Sequence, residues 1–247
     1  MTQNGILIDV RDVWKSFGDL EVLKGVSMQV HKGSSDVILG RSGIGKSVLL
    51  KSIVGLLTPE SGSIEVMGER VIGMKTTALN RIRRNIGYVF QYAALYDSLT
   101  VRENLEFPLR KHTTLGEDEI QQRVVEQLEL VGLEQAIDKM PSELSGGMKK
   151  RIGLARAIIT RPDIVLYDEP TAGLDPITAR EISELIISLE EQFGITSITV
   201  THDLECAQTI ANRIYILDDG VFQRSGSFDE LKASTDPITR AFFKVVL

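Results

Sequence analysis

A chain of 247 residues, 43% of them hydrophobic, is long enough to bury a full core as one domain with subdomains. Its formal net charge of −6 argues against a general nucleic-acid surface, which needs clustered Lys and Arg, so no nucleic-acid partner is expected. A single cysteine, Cys206, excludes an internal disulfide, and no apolar run approaches the roughly 18 to 20 residues of a membrane span. The N-terminus carries no charged-then-apolar targeting pattern, so the chain is expected to be soluble by itself, with any membrane role supplied by a partner.

The first strands are expected at Leu7–Val13, Val22–Val30 and Asp36–Leu39. Immediately after the third comes Gly40-Arg41-Ser42-Gly43-Ile44-Gly45-Lys46-Ser47, which fits GxxxxGK[ST] and reads as a phosphate-binding loop. Its glycines let successive backbone N–H groups point into one concavity, and the helix opening at Lys46 adds its positive N-terminal end. Lys46 can reach β- and γ-phosphates as a mobile point charge, and the Ser47 hydroxyl is placed to ligate Mg2+. Further strands follow at Ser63–Val66 and Ile86–Phe90. Gln91 ends the second of them, with a neutral carbonyl that can reach Mg2+ or its water.

From about Thr100 to Thr160 the pattern turns helical: Ile120, Val124, Leu128 and Val131 recur at helical spacing behind the acidic start Glu117-Asp118-Glu119. Leu144-Ser145-Gly146-Gly147-Met148 precedes a helix expected from Lys149 to Thr160, and its serine hydroxyl, Gly147 N–H and helix N-terminus together form a second anion site. If both anion sites face one nucleotide, two chains must meet head to tail in a symmetric pair. The basic runs Arg81–Arg84 and Lys149–Arg151 read as solvated helix faces, and Cys206 as a small buried thiol.

The strand Ile164–Tyr167 ends in Asp168 and Glu169, a costly pair to bury unless a cation or hydrogen bonds satisfy it. Asp168 is expected to hold Mg2+ through water, and Glu169 to orient and polarise the attacking water. A helix follows Pro176, with Ile182, Leu185, Ile186 and Leu189 on one stripe and Gly194 at its end. The strand Ser197–Val200 then leads to Thr201-His202-Asp203, so that His202 projects from the carboxyl edge of the sheet, placed to donate to a γ-phosphate. Ile214–Leu217 and Val221–Arg224 are joined by the hairpin turn Asp218-Asp219-Gly220. The sum is an α/β core flanked by a small antiparallel sheet, with a helical subdomain inserted.

With these segments in this order, the chain resembles the nucleotide-binding subunit of ABC transporters over essentially its whole length. That resemblance implies a RecA-like P-loop NTPase core of about residues 1–90 and 161–247 and a helical signature subdomain of about 91–160. ATP would contact Gly40 to Val48, with Phe17 stacked on adenine, and Ser145, Gly146, Gly147 and Met148 would close over the partner's nucleotide. Asp175 would belong to the loop that aligns the two sites, and Lys46, Gln91, Glu169 and His202 would be the catalytic set. The implied assembly is a homodimer that sandwiches ATP and drives an integral membrane permease. Val48 stands where a second hydroxyl residue is common, which leaves the Ser47 ligand intact.

Met148, where most of the superfamily has Gln, the run Phe90–Tyr96, Phe107–Arg110, Asp175–Thr178 and Asp236–Phe243 are similar to the ATPase of Mla- or Mce-associated lipid transporters. This implies phospholipid movement between membranes, a periplasmic Mce-domain lipid-binding protein, a STAS-domain regulator, and a peripheral place on the cytoplasmic face of the inner membrane. Other ABC systems, such as a small-solute importer, lipoprotein release or a soluble assembly ATPase for iron–sulfur scaffolds, share the same hydrolytic residues. Tyr92, Leu95, Tyr96 and Phe107 either offer apolar contacts to a permease helix or fill the helical subdomain's core.

Overall fold

The computed structural model describes residues 5–243. Strands β1 (Ile6–Phe17) and β2 (Leu20–His31) form a long antiparallel hairpin, and β3 (Ser35–Leu39) runs through the phosphate-loop segment into α1 (Lys46–Ile53). Next come β4 (Ser61–Val66), the two-residue β5 (Glu69–Arg70), α2 (Thr76–Arg83) and β6 (Ile86–Val89). Three helices follow, α3 (Val101–His112), α4 (Glu117–Leu130) and α5 (Gly146–Ile158). Strand and helix then alternate through β7 (Ile164–Asp168), α6 (Pro176–Phe193), β8 (Thr196–Thr201) and α7 (Leu204–Ile210), before the hairpin β9 (Arg213–Asp218) and β10 (Val221–Gly226) and the short helices α8 (Phe228–Lys232) and α9 (Pro237–Phe243).

Two sheets result. The first is antiparallel in the order β2-β1-β4-β5; the second runs β10-β9-β3-β8-β7-β6, parallel except for the β10 edge. Every residue of β3, β7 and β8 is buried, as expected of parallel strands covered on both faces. Side chains alternate between two cores. Ile38, Leu166, Ile198 and Val200 face α1 and the antiparallel sheet, while Val37, Leu39, Val165 and Tyr167 face α6 and α7. A third core fills the helical segment with Val101, Leu105, Val124, Leu128 and Ile152, and Leu185 of α6 touches both this core and the second.

The register sets the site. Leu39 pairs with Thr201, Asp168 with Val200, and Val89 with Tyr167, so β3, β8, β7 and β6 finish nearly level and in that spatial order. The phosphate-loop segment, His202, Asp168 with Glu169, and Gln91 are therefore delivered side by side at one edge.

Several local expectations shift by a residue or two, β1 runs on from the expected end at Val13 to Phe17, and β5, α2, α7, α8 and α9 are added. Among the expected helices, α5 begins at Gly146 rather than Lys149 because the Ser145 hydroxyl takes the N-cap, accepting the Met148 N–H at 3.3 Å. A side chain at Gly147 would bring its Cβ within 2.8 Å of Thr178 Cγ2, so the start of α5 sits directly against the start of α6. At the other end of α6 Gly194 takes the left-handed conformation at φ 63, and the Asp219-Gly220 turn has φ values of 45 and 76, as a tight hairpin requires. Cys206 is buried, and burial pushes its thiol up to about 12.

A carboxylate is buried beside the second core. Glu190 of α6, 8% exposed, lies against the hydroxyls of Ser197, Ser35 and Tyr167, and its Oε1 has no hydrogen-bond partner. Burial outweighs those hydroxyls and raises its carboxyl to about 7. The folded state thus keeps a proton that the unfolded chain releases at lower pH, so stability falls as pH climbs from the usual carboxylate range through about 7. Glu190→Gln, which mimics the protonated form, is expected to gain about 1–3 kcal/mol at pH 8 and little at pH 5. Urea titrations at the two pH values check this; equal effects would contradict the charged reading.

Candidate functional site

The loop after β3 is shaped by close approaches. Gly45 has φ 110, and a Cβ there would fall 2.6 Å from Val22 Cγ1 and 3.2 Å from the Val22 carbonyl oxygen, so the loop rests directly on β2. Ile44 and Val48 turn inward against the first core, while Arg41, Ser42 and Gly43 are exposed. Lys46 is 4% exposed. Its ammonium donates to the Gly40 and Arg41 carbonyls at 2.7 and 3.0 Å and pairs with Glu169 Oε1 at 3.0 Å.

The two carboxylates ending β7 have different surroundings. The Ser47 hydroxyl donates to Asp168 Oδ1 at 2.6 Å, and Tyr88 of β6 donates to Oδ2 at 3.3 Å. Burial and the Asp168 charge push the Tyr88 hydroxyl above its ordinary range, which keeps it a donor. Glu169 is 7% exposed and has a left-handed backbone, φ 50, fixed by its N–H bonding to the Val200 carbonyl at 2.9 Å. Its Oε2 lies 2.8 Å from His202 Nδ1, so one carboxylate bridges the loop lysine and the histidine that ends β8. A cavity of about 340 Å3 opens here, lined by Phe17, Val22, Lys46, Ser47, Gln91 and Glu169 among others. Phe17 is 48% exposed, and the Lys15 ammonium lies 5.2 Å from its ring centre. A larger hollow of about 690 Å3, lined by Ala172, Leu174, Leu204 and Phe242 among others, shares Ser42 and His202 with it but lacks Lys46 and Ser47.

Ser145, Gly146, Gly147 and Met148 do not line the 340 Å3 cavity. They form the start of α5, with Ser145 and Gly146 exposed and Met148 partly buried against the third core. Asp175 caps α6: its Oδ1 accepts the N–H groups of Ile177 and Thr178 at 3.1 and 3.0 Å, and its Oδ2 accepts the Thr178 hydroxyl at 2.6 Å. These bonds, the Thr178 hydroxyl first, hold its carboxyl below the usual range. Leu95 packs inward, whereas Tyr92 is 86% exposed and Tyr96 stacks on Phe107 at 5.0 Å on the surface.

The run Lys149–Arg151 is not a solvated face. Lys150 is 6% exposed and donates to the backbone carbonyls of Gln91 and Glu169 at 2.6 and 3.1 Å. Burial pushes its ammonium down to about 8 against the pull of Glu169 and Asp168. Arg83, in the other basic run, donates to the carbonyls of Val54 and Gly55 at 2.9 and 3.0 Å. Sequence reading also missed Asn104, fully buried, whose amide bonds both the N–H and the carbonyl of Tyr96, and Tyr88 beside Asp168. Only the alternation of β6, which puts Tyr88 one residue from the buried Val89, hinted at the latter.

Such an edge, with a phosphate loop, two acids and a histidine on adjacent parallel strands, defines a nucleotide-binding α/β domain of the P-loop kind. Residues 23–172 match the family model described as ABC transporter, and the chain belongs to that family, as an ATP-binding and ATP-hydrolysing subunit. It is 41% identical over 238 residues to the probable ribonucleotide transport ATP-binding protein mkl of Mycobacterium leprae, spanning 96% of this chain and 69% of that one. It is equally 41% identical to the intermembrane phospholipid transport system ATP-binding protein MlaF of Haemophilus influenzae, covering 99% and 92%. Among solved structures, a dimeric ATP-binding cassette in a post-hydrolysis state with ADP and Pi superimposes with a TM-score of 0.83 at 33% identity, covering 90% of this chain and 99% of that one.

Gly45→Ala is expected to weaken ATP binding by tenfold or more, since it combines a strained φ with a clash against β2. Titration with a fluorescent ATP analogue checks this, and an affinity equal to that of the native chain would contradict the role given to the loop.

Proposed function

We propose that this chain is one half of a symmetric ATPase pair that powers a phospholipid-moving permease, with each ATP cleaved at a site built from both copies. The observation that carries the reading is Glu169, held between Lys46 and His202 at the mouth of the phosphate loop. In this scheme the loop N–H groups and Lys46 hold the phosphates, and Phe17 stacks on the base. A γ-phosphate oxygen competes with Glu169 for Lys46, which releases the carboxylate to polarise the attacking water. His202 shares that carboxylate and meets the transferred phosphoryl group.

Ser47 and Asp168 present hard oxygen donors 2.6 Å apart beside the loop, with Gln91 on the same cavity, a set that fits Mg2+. When bound, that ion would neutralise charge on the phosphate oxygens.

The exposed start of α5 at Ser145 is free to cover the partner's nucleotide, and the dimeric state of the solved cassette supports such a pair. Asp175, against the same helix start, would align the two sites. Residues of about 91–160 then make the helical subdomain, the remainder the core, and Tyr92, Tyr96 and Phe107 the permease contact. Among the described residues no helix is long and apolar enough to cross a membrane, and in this scheme a separate permease supplies the passage. The names of relatives differ on cargo; phospholipid is favoured because the match to the Haemophilus protein spans 92% of that protein. A Mce-domain lipid-binding protein, a STAS-domain regulator and a place at the cytoplasmic face of the inner membrane complete the proposal.

Glu169→Gln is expected to keep ATP binding, slow hydrolysis at least about 100-fold and stabilise the pair. Steady-state turnover and size-exclusion chromatography with ATP and Mg2+ measure this, and undiminished turnover would remove Glu169 from its role. Ser145→Arg mixed one-to-one with the native chain is expected to silence the native subunit's site; independent sites would count against the pair. Purification from membranes in detergent should bring down an integral membrane protein, and recovery of soluble assembly factors alone would overturn the transport reading.

A further inference from the structure

Lys150, Gly153 and Arg156 recur every three residues along α5 and so share one face of it. That face grips the segment after β6. Lys150 donates to the Gln91 carbonyl at 2.6 Å, Gly153 leaves room for Ala93, whose Cβ would stand 3.1 Å from a side chain there, and Arg156 donates to the Ala93 carbonyl at 3.0 Å. The gripped backbone is strained: Ala93 and Ala94 both adopt left-handed conformations, φ 59 and 48, that residues with a Cβ rarely take. Tyr92, the most exposed large apolar residue described, stands at the tip of this segment.

Lys150 alone of the three also reaches across to the catalytic strand, donating to the Glu169 carbonyl at 3.1 Å. Glu169 is likewise left-handed, φ 50, so its side-chain direction depends on a backbone that must be held. A hydrophobe at position 150 would leave the buried Glu169 carbonyl and the part-buried Gln91 carbonyl without this donor, and among the described residues no other hydrogen bond ties the two segments to α5 through one atom.

We infer that Lys150 is a positioning residue: its ammonium locks the segment bearing Tyr92 to the backbone of Glu169, so that movement of α5 or of the docking tip changes where the Glu169 carboxylate points. The coupling to a permease rests on the function proposed above, while the effect on Glu169 does not need it.

The test uses the full-length subunit and three variants. Lys150→Met is expected to lower kcat for ATP at least about tenfold, with KM and the Kd for ATP and Mg2+ within about twofold of native, whereas Lys150→Arg, which keeps charge and several donors, restores at least half of native kcat. Hydrogen exchange in Lys150→Met should rise together at residues 91–95 and 169–172 while the rest of α5 stays protected. Should Lys150→Met fail to fold, Lys150→Gln, which can serve only one carbonyl well, is expected to show the same selective loss of kcat. Native kcat in the Met or Gln variant, a loss carried by KM, or an Arg variant as slow as Met overturns the inference. A native subunit that binds no ATP would instead strike at the proposed function, so the two failures are distinguishable.

Discussion

Both oxygens of one buried carboxylate are already claimed, Oε1 by Lys46 and Oε2 by His202, and the surrounding architecture serves that arrangement. A carboxylate 7% exposed is tolerable only with partners, and removing one partner of such a pair leaves a buried charge at a cost of about 3–5 kcal/mol. Lys46 opens α1 where the loop after β3 ends, His202 directly follows β8 and Glu169 directly follows β7, three neighbouring strands. Parallel pairing with matched register is what brings them together; a slip of one residue in β8 would turn His202 to the other side of the sheet.

The helical segment is bound to this edge more tightly than an inserted appendage needs to be. α5 sends Lys150 under the loop after β6 and meets α6 through the missing side chain of Gly147, and Leu185 of α6 reaches both the second core and the third. Asn104 of α3 fixes the far end of the same loop by bonding to Tyr96 on both sides of its peptide units. The apolar docking candidates therefore stand on a buried polar scaffold rather than on a free loop.

Much of the fold was legible because burial on both faces leaves its mark in the composition. Val37-Ile38-Leu39, Ile164–Tyr167 and Ser197–Val200 are short β-branched runs between punctuating residues, and all became central strands. Pro176 and Gly194 bounded α6 as helix ends do. What escaped lacks any local sign. β5 is two residues long and α2 buries only Leu79 and Ile82, so neither has a usable period. Lys150 carries a charge in a basic run, which reads as outward-facing; its burial is decided by carbonyls 59 and 19 residues away in sequence. Motifs singled out the candidate residues at this edge, but not their pairing, since no spacing within a motif says that Glu169 will lie between Lys46 and His202.

Cys206, on the buried face of α7 with its thiol kept protonated by burial, is a poor nucleophile at neutral pH. Oxidants and maleimides should pass it by. A reporter cysteine placed on any exposed surface of this chain can then be labelled without first removing the natural one, which opens distance measurements between subunits on an otherwise native background.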